Sequence, residues 1–96
     1  MLELRPTCEN CDKSLPPDSL EAMICTYECT FCISCVTEIL ENVCPNCGGG
    51  FEKRPIRPKE QLAKYPAKKE KLHKPVVFAE FQQLKGSKIN INPKDR

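Results

Sequence analysis

The sequence predicts a small metal-stabilised α+β fold: a cysteine-rich head with a short hairpin and one short helix, then an extended basic arm ending in an amphipathic helix. Three observations lead there. All eight cysteines fall between Cys8 and Cys47, spaced C-x2-C, thirteen residues, C-x3-C-x2-C-x2-C, eight residues, C-x2-C. The charge is divided along the chain: residues 1–52 hold nine acidic and two basic side chains and residues 53–75 hold nine basic and two acidic, so the net charge of +2 conceals an anionic head and a cationic arm. Finally, the large apolar residues of the head, from Leu2 through Leu15, Leu20, Tyr27 and Phe31 to Val43 and Phe51, are too few to offset the chain entropy of a fifty-residue fold.

A C-x2-C pair on a tight turn aims two sulfurs at one point, and a soft divalent ion held tetrahedrally at roughly 2.3 Å per sulfur supplies that point. Eight thiolates make two four-coordinate zinc sites. The candidate ligands are therefore Cys8, Cys11, Cys25, Cys29, Cys32, Cys35, Cys44 and Cys47, and two such sites would make the head more anionic still. A disulfide framework is the competing use of eight cysteines, and it needs an oxidising compartment. The opening Met1-Leu2-Glu3-Leu4-Arg5-Pro6 lacks the basic start and apolar run of a secretory signal, and no apolar stretch approaches a membrane span. The expected setting is a reducing cytoplasm, with no membrane and no disulfides.

Taken in order, Leu2 and Leu4 alternate with charged residues as a half-buried strand stopped by Pro6. Cys8-Glu9-Asn10-Cys11 forms the first knuckle, and Pro16-Pro17 stiffens the loop after it. Ala22-Met23-Ile24 leads into a hairpin running through Cys29 and Phe31. Ser34 is placed to cap a helix whose Val36, Ile39, Leu40 and Val43 share one face. Cys44-Pro45-Asn46-Cys47 closes the ladder before Gly48-Gly49-Gly50, where glycine allows a sharp turn beside the metal. The head thus spans residues 1–52. The arm, 53–75, alternates charge with proline and reads as extended, with a helical turn at 60–65. In 76–96, Pro75 opens a helix over 76–85 with Val77, Phe78, Phe81 and Leu84 along one face and Gly86 as its stop.

The spacing leaves two ligand pairings open, sequential (Cys8, Cys11, Cys25, Cys29, then the rest) or interleaved. The order of pairs, the Cys29-Thr30-Phe31-Cys32-Ile33-Ser34-Cys35 block, the helix after it and the closing Cys44-Pro45-Asn46-Cys47 resemble an all-cysteine RING finger, a treble-clef zinc domain. That resemblance implies interleaving: Cys8, Cys11, Cys32 and Cys35 on one ion and Cys25, Cys29, Cys44 and Cys47 on the other. It reaches the fold and not ubiquitin ligase activity, because Glu9, Asn10, Glu41, Asn42 and Gly48 stand where ligase RINGs carry apolar, aromatic and basic docking residues. The chain is also similar to a family of small bacterial cysteine-rich proteins known only as a domain of unknown function. The residues that carry this likeness are the opening Leu-Glu-Leu-Arg-Pro, Leu15-Pro16-Pro17-Asp18, Cys29-Thr30-Phe31-Cys32, Cys44-Pro45-Asn46-Cys47-Gly48-Gly49, Arg54-Pro55-Ile56-Arg57-Pro58, and the stretch from Tyr65-Pro66-Ala67 to Lys74-Pro75.

Four-sulfur sites have no open position for water, so they hold a fold and do not hydrolyse a substrate. The one histidine, His73, lies in a lysine run and completes no nucleophile–base constellation. The expected function is a non-enzymatic zinc-binding module that docks a protein partner through Phe78, Phe81 and Leu84, with no small-molecule substrate. Two alternatives are nucleic-acid binding through the lysines and arginines of residues 53–74 and a redox- or zinc-responsive switch.

Overall fold

The computed structural model describes the whole chain, Met1–Arg96. Its centre is a three-stranded antiparallel sheet of β1 (Ala22–Ile24), β2 (Thr30–Cys32) and β3 (Glu52–Lys53), in the order β2-β1-β3. Met23 pairs with Phe31 on one side and with Lys53 on the other. The expected hairpin is β1 with β2, closed by hydrogen bonds between Cys25 and Cys29 (3.2 Å) and from the Glu28 N–H to the Cys25 carbonyl (3.0 Å). The third strand is new. It straddles the change in composition at residue 53, because the Arg54 N–H still donates to the Ala22 carbonyl (2.9 Å).

Directly after β2 the chain turns helical, with a wide π-helical coil over Cys35–Leu40. Val36, Leu40 and Val43 are buried, as their spacing predicts. Ser34 does not cap this helix: it has helical dihedrals and no capping hydrogen bond, since the coil already begins at Ile33. The helix stops at two consecutive left-handed residues, Glu41 and Asn42 (φ 49° and 62°), whose N–H groups both return to the Val36 carbonyl. Asparagine tolerates that conformation through its short polar side chain. Its Oδ1 in turn accepts the Phe51 N–H at 2.9 Å.

Cysteine sulfurs make up a large part of the core. Of 14 buried clustered residues six are cysteines; the rest include Leu15, Phe31, Leu40, Val43 and Phe51, with the two phenylalanine rings edge to face at 5.4 Å. Leu20 and Tyr27, grouped with the head's apolar residues by sequence, are exposed.

No strand forms at Leu2 to Leu4, because other groups take its carbonyls. The Leu2 oxygen accepts from Arg57 Nη2 (2.7 Å), Leu4 from the Lys68 N–H (3.0 Å), Arg5 from Arg54 Nη1 (2.8 Å) and Pro6 from the Leu15 N–H (2.8 Å). A polar account settled this way needs no ladder. After the short helix α1 (Lys59–Lys64), residues 66–77 form neither helix nor strand and are hydrogen-bonded to the head. The Lys74 N–H donates to the Glu9 carbonyl (2.8 Å) and the Val76 N–H to Asn10 Oδ1 (2.9 Å).

Helix α2 (Phe78–Lys88) starts three residues past Pro75, since the bond to Asn10 keeps Val76 out of helix and Val77 is extended. Phe81 enters the core, 4% exposed, and Leu84 packs beside Gly48, whereas Val77 and Phe78 remain 57% and 56% exposed. The predicted four-residue face is therefore split between core and solvent. Nor does Gly86 end the helix. It lies within α2, and the Ile89 N–H bonds the Lys85 carbonyl at 2.8 Å beyond it. A Cβ at Gly86 would meet nothing within 4 Å, so Gly86→Ala is expected to stabilise the protein by about 0.5–1 kcal/mol, read as a higher urea midpoint with unchanged slope.

Candidate metal centre

Four backbone turns aim the sulfurs. In the first knuckle the Cys8 N–H reaches the Lys13 carbonyl (2.9 Å) and the Asp12 N–H the Cys8 carbonyl (3.0 Å), with Asp12 left-handed. Cys32 ends β2 and Cys35 lies in the first turn of the helical coil, so strand and helix face the knuckle from the other side. The sulfurs of Cys8, Cys11, Cys32 and Cys35 lie within 4.8 Å of one another. Across this group Cys8 to Cys35 measures 3.8 Å and Cys11 to Cys32 measures 3.7 Å. A tetrahedron with arms of roughly 2.3 Å has edges of about 3.8 Å, so both spans match the edges of a filled sulfur cage. A disulfide would need about 2.05 Å. All eight cysteines are unpaired.

The second group is Cys25, Cys44 and Cys47, again within 4.8 Å, with Cys29 beside it. The last knuckle is held by the Gly48 N–H to the Cys44 carbonyl and the Cys44 N–H to the Gly49 carbonyl, both 2.8 Å. Gly48 sits at φ 78°, a conformation that a side chain would strain. Backbone N–H groups two residues on point at sulfur in both halves of this site, Tyr27 to Cys25 and Gly49 to Cys47, each at 3.4 Å. Such donors favour thiolate charge. The grouping is the interleaved one; the sequential pairing is excluded because Cys8 and Cys11 gather with Cys32 and Cys35.

Two asparagines complete the pattern. Asn10 Nδ2 donates to Cys35 Sγ at 3.4 Å, and Asn46 Nδ2 to Cys29 Sγ at 3.3 Å. Each is the residue before the last cysteine of a C-x2-C knuckle, and each reaches a sulfur of its own site on another element. That shared Asn-Cys ending was a signal visible in the sequence. Asn46 also donates to Glu9 Oε2 (3.1 Å), which ties the two sites together through the buried Glu9.

Without a cation the site resists ionisation. Burial pushes the Cys29, Cys35 and Cys44 thiols up, and neighbouring thiols raise them further. A divalent ion reverses that logic by binding only thiolate. The donor set suits a soft divalent ion such as zinc: four sulfurs at tetrahedral spacing in the first group, and three with Cys29 beside them in the second. Metal uptake must displace thiol protons, so affinity rises with pH and falls in acid. Calorimetry in buffers of different ionisation enthalpy is expected to show about four protons released per ion near neutral pH.

The remaining candidates fall elsewhere. His73 Nε2 lies 3.0 Å from the Asn10 carbonyl, outside both sulfur groups. Arg54 and Arg57, read from sequence as arm charge, are fastened to backbone carbonyls. Seven lysines of residues 53–74 keep outward charge, one of them, Lys68, 3.7 Å from Glu3. No helix is long and apolar enough to cross a membrane.

The family described as "Protein of unknown function (DUF1272)" matches residues 1–57. A protein of Rhizobium meliloti (strain 1021) named "Uncharacterized protein R02474" is 57% identical over 75 residues, which is 78% of this chain and 89% of that relative. No solved structure matches.

Proposed function

We propose that this chain, which belongs to the bacterial DUF1272 family, is a non-enzymatic two-zinc module of the reducing cytoplasm that presents a fixed surface to a protein partner. The observation that carries the metal half is the pair of sulfur spans, 3.7 and 3.8 Å, in a four-cysteine group. The RING-like layout is supported by the interleaved grouping and by the strand and helix that flank it. The absence of catalytic work follows from closure: when all four positions hold sulfur, water has no place on the ion.

The partner half draws on Val77 and Phe78, the exposed apolar pair at the start of α2. Phe81 and Leu84 are committed to the fold, so docking falls to this pair alone. Cobalt substitution tests the metal assignment, since tetrahedral four-sulfur cobalt has intense d–d and sulfur charge-transfer bands and octahedral cobalt does not. A pull-down with zinc-loaded protein tests docking: the proposal expects a protein retained at high salt and lost with Phe78→Ala. Retention of RNA or DNA that disappears as salt rises would instead assign the lysines the main role.

A further inference from the structure

The two sulfur groups are not equally closed. In the first, four sulfurs share one 4.8 Å set; in the second only Cys25, Cys44 and Cys47 do. The cause is visible in the chain. Cys25 and Cys29 form the sole C-x3-C pair, and the additional residue is accommodated by a left-handed Glu28 (φ 65°) directly before Cys29. Its sulfur has another partner, Asn46 Nδ2 at 3.3 Å, and that amide is anchored on Glu9 Oε2 at 3.1 Å. In the first site Asn10 donates to Cys35 in the same way, yet Cys35 keeps its 3.8 Å span to Cys8. The amide contact is common to both groups, so the longer Cys25–Cys29 loop is what sets Cys29 apart. Access is available in both sites through one exposed cysteine, Cys11 or Cys47, and Cys47 opens onto a cleft lined by Tyr27 and Asn46.

We propose that the second site is the exchangeable one and that Cys29 is the ligand it releases, leaving a three-thiolate ion on Cys25, Cys44 and Cys47 while the first site stays closed. The inference rests on the zinc-binding reading above. The acceptor's thiol gives up its proton and binds in the vacated position as thiolate, while Cys29 departs, takes up one proton in exchange and remains beside Asn46. No sulfur changes oxidation state. The module is thereby a holder of one permanent and one transferable ion.

The test uses the full chain loaded with zinc, excess EDTA, and N-ethylmaleimide labelling of samples withdrawn over time, mapped by mass spectrometry. The expected result is release in two phases separated by at least about tenfold in rate. The half-loaded species would be alkylated at Cys25, Cys29, Cys44 and Cys47, with Cys8, Cys11, Cys32 and Cys35 protected. Cys29→Ser should retain two ions and accelerate the fast phase alone. Release in a single phase, first labelling at the Cys8 group, or a C29S protein holding only one ion would overturn the proposal. If C29S does not fold, the wild-type labelling order decides. A purified chain that takes up no zinc at all would instead overturn the metal reading beneath it.

Discussion

Stripping zinc with a chelator under reducing conditions is expected to unfold the chain. Six of the 14 residues in the buried cluster are cysteines, so the interior that should supply apolar burial supplies thiols. Small structural zinc sites contribute on the order of 10 kcal/mol or more apiece to folding, comparable to or above the whole stability of a domain this size. Without the ion the sulfurs re-protonate, the turns that gathered them lose their centre, and Phe31, Phe51 and Phe81 share a core too thin to hold three short strands. Circular dichroism should show loss of the cooperative thermal transition, restored by zinc. The arm should follow, because Asn10 holds Val76 with its oxygen while its amide reaches Cys35.

Arg54→Ala is expected to cost about 3 kcal/mol in the zinc-loaded protein, the largest loss of any substitution outside the cysteines. Arg54 is 4% exposed and donates to three carbonyls, Arg5 at 2.8 Å, Leu15 at 3.2 Å and Pro16 at 2.9 Å. No carboxylate faces it, its Nε has no partner, and burial pulls its pKa down. The guanidinium therefore carries a desolvation cost that only its fork of hydrogen bonds offsets. Truncation leaves the Arg5 and Leu15 carbonyls without this donor and Pro16 with only the Ser19 N–H at 2.9 Å. Arg54→Lys should recover little, since an ammonium cannot span that fork. Arg57→Ala, at a half-buried position, should cost about 1 kcal/mol. Urea titrations of the three variants measure the order; equal losses at 54 and 57 would contradict this account.

These arginines also mark what a sequence can convey. The candidate metal groups were legible because eight cysteines at short spacings have few other uses, and the hairpin and the Val36, Leu40, Val43 face followed from alternation and helical period. Charge patterning misread Arg54 and Arg57. A guanidinium that binds backbone leaves the same trace in composition as one facing water, and all but one of these acceptors are 38 to 55 residues away along the chain. The strand expected at Leu2 to Leu4 failed for a related reason, since the Leu2 and Arg5 carbonyls went to those side chains and the Leu4 carbonyl to the Lys68 N–H. The late start of α2 was likewise decided at a distance, by Asn10. Gly86 was read as a stop from local propensity, which tertiary packing of Leu84 and Ile89 overrides.

Two metal ions per chain, one in each cysteine group, are what the fold is expected to depend on. Native mass spectrometry of the full chain, purified with reductant and without added chelator, tests this dependence most directly. The expected mass is that of a chain carrying two zinc ions with all eight cysteines reduced. A metal-free chain that still folds cooperatively, or one whose mass shows the hydrogen loss of disulfides, would contradict it.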